Sequence, residues 1–184
     1  MGERAMHIYF TRHGQTIWNV ENKICGATDI GLTELGYEQA RELGRRILQE
    51  GIAIDEILYS PLIRAADTAR GISEITGIPC RPEVRLTEQN FGKYEATPRH
   101  GAEFELAKQN FIYDFDGGET MFHLVARIYQ LLDEIGNQSE DKTYLLVAHN
   151  GISRVIESYF RDMTNEEFAS FGIRNCEIRR YEFR

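Results

Sequence analysis

The sequence predicts a three-layer α/β/α sandwich with a mostly parallel central sheet, and three observations carry that prediction. Short apolar runs rich in β-branched and aromatic residues alternate with amphipathic stretches of helical period, the order that builds right-handed βαβ units. The run Tyr144-Leu145-Leu146-Val147-Ala148 is nearly continuous in apolar character, as a strand covered on both faces requires. Three runs end abruptly in polar turns marked by glycine or proline: Thr11-Arg12-His13-Gly14, Tyr59-Ser60-Pro61 and Ala148-His149-Asn150-Gly151. In such sheets ligands gather at the carboxyl ends of the strands.

Taken in order, residues 1–5 read as a disordered lead-in, and a first strand starts near Met6 and ends at Arg12. Residues 15–31 mix Asn, Gly, Thr and Asp with single apolar residues and read as a long loop returning over the strand's end. Thr33 N-caps a helix running to Glu50, with Tyr37, Ala40, Leu43, Ile47 and Leu48 at three- and four-residue spacing, and Gly51 stops it. Residues 54–59 form a second strand. Ser60 and Pro61 supply the N-cap and first-turn proline of a helix reaching Thr76. Residues 78–82 are a brief strand, 85–97 a loop with little regular structure, and 102–111 a helix. Asp116-Gly117-Gly118 turns the chain into a helix capped by Thr120, whose buried stripe is Val125, Ile128, Leu131, Leu132 and Ile135. The fourth strand is 144–148, followed by a helix from Asn150 to Phe160. Thr164 with Glu167 makes a capping box, and 176–183 alternate as a final half-exposed strand. If that strand bounds the sheet, its edge is a surface for a homodimer.

The length, 184 residues, fits one domain spanning 1–184. A net charge of −8 argues against nucleic acid as a partner, since phosphate-backbone binding needs clustered Lys and Arg. No apolar run approaches the roughly 20 residues that span a bilayer, and no signal-peptide core is seen, so no membrane association and a cytoplasmic location are expected. Cys25, Cys80 and Cys176 are odd in number and widely spaced, which suggests neither a disulfide framework nor a zinc cluster.

Arg64 falls in the first turn of a helix, where the macrodipole disfavours a cation, so an anion should compensate it: a neighbouring carboxylate or a bound ligand. Arg12, at the end of a buried strand, needs several acceptors, which a phosphate supplies bidentately. His13 and His149 each end an apolar strand beside a glycine and should meet at one rim. Either imidazole alone would be read as a packed or capping residue; two in equivalent positions favour a site. A metal is disfavoured because the arginines would repel a cation and no ligand set of known spacing appears. Glu88, on the irregular stretch, is the proton carrier such a pocket lacks, with Glu95 the weaker candidate. Gly31 to Gly36 is followed by Tyr37 rather than Lys, which excludes a Walker loop. Ile24, Phe91, Tyr94, Phe111 and Tyr113 are read either as a pocket wall tolerant of apolar groups or as packing.

Together these residues resemble the histidine phosphatase superfamily in its phosphoglycerate mutase-like branch. The likeness runs from Tyr9-Phe10-Thr11-Arg12-His13-Gly14-Gln15-Thr16 with Trp18-Asn19, through Gly26 to Asp29, Leu32 to Gly36 and Ser60 to Ala65. It continues in Leu86-Thr87-Glu88 with Phe91-Gly92 and Tyr94-Glu95, in Gly117 to Thr120 and in Val147 to Gly151. It implies that His13 is the nucleophile and becomes a phosphohistidine. It further implies that Arg12, Arg64 and His149 hold the phosphoryl oxygens and that Glu88 protonates the leaving oxygen, then activates water. Asn19 and the backbones of Gly14 and Gly151 would be secondary phosphate contacts, and no cofactor is needed. Cys25, Gly31, Ala96 and Asn150 depart from the pattern, outside the phosphoryl-transfer set, and bear on substrate rather than reaction. The segment between Glu88 and His149 is shorter than in the cofactor-dependent mutases, so water should reach the phosphohistidine. The expected activity is metal-independent hydrolysis of small phosphorylated metabolites. The alternatives are a phosphoglycerate mutase and a non-catalytic phosphate-binding domain, the last needing neither His13 nor Glu88.

Overall fold

The computed structural model describes residues 6–138 and 142–183; the lead-in expected at 1–5 lies outside them. Five strands, β1 (His7–Arg12), β2 (Glu56–Tyr59), β3 (Cys80–Pro82), β4 (Tyr144–Ala148) and β5 (Ile178–Glu182), form one sheet in the order β3-β2-β4-β1-β5. The first four are parallel to their neighbours, and β5 runs antiparallel to β1 at the edge. The helices are α1 (Ile17–Val20), α2 (Glu34–Gln49), α3 (Ile63–Thr76), α4 (Ala102–Ala107), α5 (Met121–Gly136), α6 (Asn150–Phe160) and α7 (Asn165–Ser170).

Side-chain alternation in the strands builds a core on each face. Ile8, Phe10, Leu146 and Ala148 pack with α5 and α6, while Tyr9, Leu145 and Val147 pack with α2 and α3. Every residue of β4 is buried, which explains its unbroken apolar run. A third, smaller cluster joins Ile24, Tyr94, Phe104 and Phe115, with Phe91 and Tyr113 against it, and Ile24, Phe91 and Phe104 also line the cleft beside Glu88.

Most expected caps are present: Thr33 Oγ1 accepts from Gly36 N–H and Thr120 Oγ1 from His123 N–H, and Thr164 with Glu167 forms the capping box. Four expectations change. The helix expected over 102–111 ends at Ala107, and turns follow it. Inside the predicted loop 15–31, Thr16 and Asn19 cap each other and nucleate α1, because Asn19 replaces the usual Glu or Gln in a capping box. The irregular stretch 85–97 contains short 3₁₀ turns at Val84–Leu86 and Gly92–Tyr94. Ser60 does not cap α3. The N-cap is Leu62, with no side-chain bond of its own, and Asp29 Oδ1 accepts from Ile63 N–H at 2.7 Å instead.

The turn after β1 packs backbone to backbone on the start of α2. A Cβ on Gly14 would meet the Gly36 carbonyl, and one on Gly36 would meet the Gln15 carbonyl. In an open helix Gly→Ala gains up to about 1 kcal/mol. Gly36→Ala is expected to reverse that sign and destabilise by about 1–3 kcal/mol through overpacking, measured by urea unfolding. A variant as stable as the parent would show that this contact is not tight.

Candidate active site

Because β4 pairs in parallel with β1 on one side and β2 on the other, the turns after all three strands emerge together. The ladder continues past β1 and β2: His13 N–H donates to Ala148 O (2.9 Å) and Ser60 N–H to Val147 O (3.0 Å). The His13 and His149 rings come to 5.3 Å centroid to centroid, and Ser60 Oγ lies 2.7 Å from His149 Nε2. Ser60 Oγ also accepts from Leu62 N–H (3.4 Å), and α3 starts too late in the chain for Ser60 to be its N-cap.

His13 Nδ1 is 2.7 Å from Gly14 O. A carbonyl only accepts, so Nδ1 carries the proton and Nε2 keeps its lone pair. Burial, then the charges of Arg64 and Arg12, hold the ring's pKa well below the usual value, so the ring is neutral at pH 7. The main chain here is fixed from both sides. Gly14 N–H donates to Thr68 Oγ1, which itself donates to Arg64 O, and Asn175 Nδ2 donates to His13 O. His149 is also held neutral, by burial first and then by Arg64, His13 and Arg12.

Arg64 is fully buried, and among the described residues it has no carboxylate partner. Its guanidinium donates to Thr28 O (2.9 Å) and Gly26 O (2.7 Å). The loop carrying those carbonyls is tied down by Glu95. Its carboxylate accepts from Gly26 N–H, Ala27 N–H, Thr28 Oγ1 and Phe91 N–H, which makes Glu95 a brace for the Arg64 cradle. Arg12 donates to Ile173 O, and burial, with Arg99 the largest neighbouring charge, pushes its pKa down to about 10.

Glu88 is buried beside the two histidines' turns, with Oε2 accepting from Gly151 N–H and Oε1 from Gln89 N–H, each at 2.9 Å. Burial raises its pKa against the pull of those two bonds and of Arg64 and Arg154. The segment bearing Glu88 is anchored from α5. Arg127 grips Glu119 bidentately and donates to Arg85 O, while Gln89 Nε2 donates to Glu119 O.

Of the residues singled out in the sequence, Arg12, His13, Arg64, Glu88 and His149 line one region. The N–H groups of Gly14 and Gly151 are engaged by Thr68 and Glu88, and Asn19 Oδ1 accepts from Thr16 N–H and from Asn175 Nδ2. Ser60, Thr68, Ile173 and Asn175 were not foreseen, since a lone hydroxyl, amide or carbonyl carries no spacing signal. Four buried side-chain atoms have no hydrogen-bond partner among the described residues: Arg12 Nε, Arg64 Nε, His149 Nδ1 and Arg154 Nε. All belong to this neighbourhood. Buried polar atoms are paired as a rule, so a cluster of orphaned ones is a candidate ligand site.

Fold and site together define an α/β protein of the phosphoglycerate mutase-like class. The family model of the histidine phosphatase superfamily (branch 1) matches residues 8–184, and the chain belongs to that superfamily. It is 29% identical to the probable phosphoglycerate mutase GpmB of Yersinia pestis (strain Pestoides F), over 97% of this chain and 85% of that one. Among solved structures it is similar to a mycobacterial glucosyl-3-phosphoglycerate phosphatase complexed with VO3, with TM-score 0.81 and 26% identity over 96% of this chain and 90% of that one. YhfR of Bacillus stearothermophilus is similar to the same degree, with TM-score 0.80 and 26% identity over 96% and 90% of the two chains.

The depressed histidines make ligand-free stability depend on pH. Their folded pKa values lie below the unfolded value of about 6.5, so the unfolded state binds more protons and stability falls as pH drops from 6.5 toward the folded values. Urea midpoints should decline between about pH 7 and 5.5, and the decline should be shallower in His149→Gln. Equal slopes would show that His149 is not held neutral by the fold.

Proposed function

We propose that the protein is a metal-independent phosphatase that hydrolyses phosphomonoesters of small metabolites through a phosphohistidine on His13. The observation that carries this is the set of orphaned buried atoms on Arg12, Arg64 and His149 around a neutral imidazole. In the first step His13 Nε2 attacks phosphorus and the bond to the ester oxygen breaks. Glu88, whose pKa burial raises, gives a proton to the leaving oxygen. In the second, water attacks phosphorus, the P–N bond breaks, and Glu88 takes the water's proton, which returns both groups to their starting state. Arg12, Arg64 and His149 hold the phosphoryl oxygens throughout. Losing one such donor typically costs on the order of 10²–10³ in rate.

Relatives called probable phosphoglycerate mutase support a second reading, in which the phosphoryl group passes to another hydroxyl rather than to water. Hydrolysis is favoured because the cleft beside Glu88, about 400 Å³, reaches solvent past the exposed His100, leaving a path for water.

Acid-quenched trapping with labelled substrate tests the reading. An acid-labile, alkali-stable phosphoenzyme should form on the parent and be absent from His13→Ala; its survival in His13→Ala would overturn the nucleophile. Glu88→Gln should slow turnover roughly 10²–10⁴-fold, most for esters with poor leaving groups. Release of inorganic phosphate, against label retained in organic ester, separates the phosphatase from the mutase.

A further inference from the structure

Ser60 stands one residue past β2, where the chain is still held to β4: its N–H donates to Val147 O at 3.0 Å. That register sets it beside His149, and both residues are fully buried. Ser60 Oγ and His149 Nε2 are 2.7 Å apart, close enough for either to be the donor. The direction of this one bond decides what the other side of the ring can do, because a neutral imidazole carries a single proton on its two nitrogens.

The surroundings of the hydroxyl settle the direction. Besides His149, its only partner among the described residues is Leu62 N–H, at 3.4 Å. A backbone N–H cannot accept, so the hydroxyl hydrogen has one acceptor within reach, the lone pair of Nε2. Were Nε2 protonated instead, the ring and Leu62 would both donate to Ser60. A buried O–H would then have no acceptor, an arrangement that folded proteins avoid. With Ser60 donating, the proton of His149 sits on Nδ1, the ring atom that the protein leaves unpartnered. Arg64, His13 and Arg12 are the groups whose charges act most on this ring, and they are the residues gathered around the phosphoryl position.

We propose that Ser60 is a positioning residue: its hydroxyl donates to His149 Nε2, fixes the Nδ1–H tautomer, and so makes His149 an uncharged hydrogen-bond donor to a phosphoryl oxygen. This rests on the phosphatase reading, which supplies the oxygen. The two histidines then share one tautomer and use it in opposite ways. In His13 the Nδ1–H is engaged by Gly14 O, so Nε2 presents a lone pair; in His149 Nε2 is engaged by Ser60, so Nδ1 presents a hydrogen. A neutral donor holds the anion without placing a third cation beside Arg12 and Arg64.

Nitrogen-15 NMR of the ligand-free protein reads the tautomer directly. His149, assigned by the signals lost in His149→Gln, should show a protonated Nδ1 and an unprotonated Nε2 at neutral pH; a protonated Nε2 in the parent overturns the inference. Ser60→Ala should move His149 toward Nε2–H and weaken the binding of inorganic phosphate, followed by calorimetry, roughly two- to tenfold, the range of one neutral hydrogen bond. Ser60→Thr, which keeps the hydroxyl, should keep the tautomer and an affinity within about twofold of the parent. An unchanged tautomer in Ser60→Ala, with a parent-like urea midpoint to show that it is folded, overturns the role of the hydroxyl. Saturating phosphate should move the Nδ1 resonance of the parent and leave Nε2 unprotonated; an Nδ1 resonance that bound phosphate does not move overturns the donor role. A parent that releases no phosphate from any ester fails the phosphatase reading, while the tautomer, measured without substrate, still decides whether Ser60 sets the ring.

Discussion

Everything around the site answers to one awkward group, the fully buried guanidinium of Arg64 in the first turn of α3. Desolvating an unpaired charge costs several kcal/mol, and the helix dipole adds to the cost at that end. The fold meets it without a carboxylate. Two carbonyls from the 26–28 loop accept from the guanidinium, Glu95 pins that loop through four bonds, and Asp29 satisfies the exposed N–H at the start of the same helix. Neutral acceptors solvate the charge and leave it uncompensated, so its field remains available to lower the histidines and to attract an anion. A carboxylate in the same place would have made Arg64 a stability device and nothing more.

The same field explains why two imidazoles 5.3 Å apart can share one site. If both were charged they would repel each other and the arginines; burial and the guanidiniums keep them neutral. Glu88 is tuned the other way by burial, although two N–H groups and two arginines pull against it. The histidines and Glu88 are thus shifted in opposite directions within one cavity, each toward its neutral form.

How much of this could be read from the chain depends on how local the signal is. The helices announced themselves through period and caps, and β4 through an unbroken apolar run, because those features are written in consecutive residues. Arg12, His13, Arg64, Glu88 and His149 were legible because they sit at strand ends or carry charge where the backbone does not favour it. Ser60 was misassigned as a cap: its neighbour Pro61 and the following helix fit that role, and only the fold reveals that the helix starts at Ile63 with Leu62 as N-cap while the hydroxyl meets His149. Glu95, expected as a spare acid, serves as a brace because four donors from two loops converge on it, a fact of tertiary geometry with no sequence period.

Residues 173–176 hold the first strand's functional end: Ile173 O takes Arg12, Asn175 takes the His13 carbonyl, and Cys176 N–H donates to Arg12 O. The two side-chain contacts join positions 161 and 162 residues apart. Closing so long a loop is entropically slow, and during synthesis the strand bearing His13 leaves the ribosome long before its clamp exists. His13 is therefore the earliest part of the site to be made and among the last to be locked.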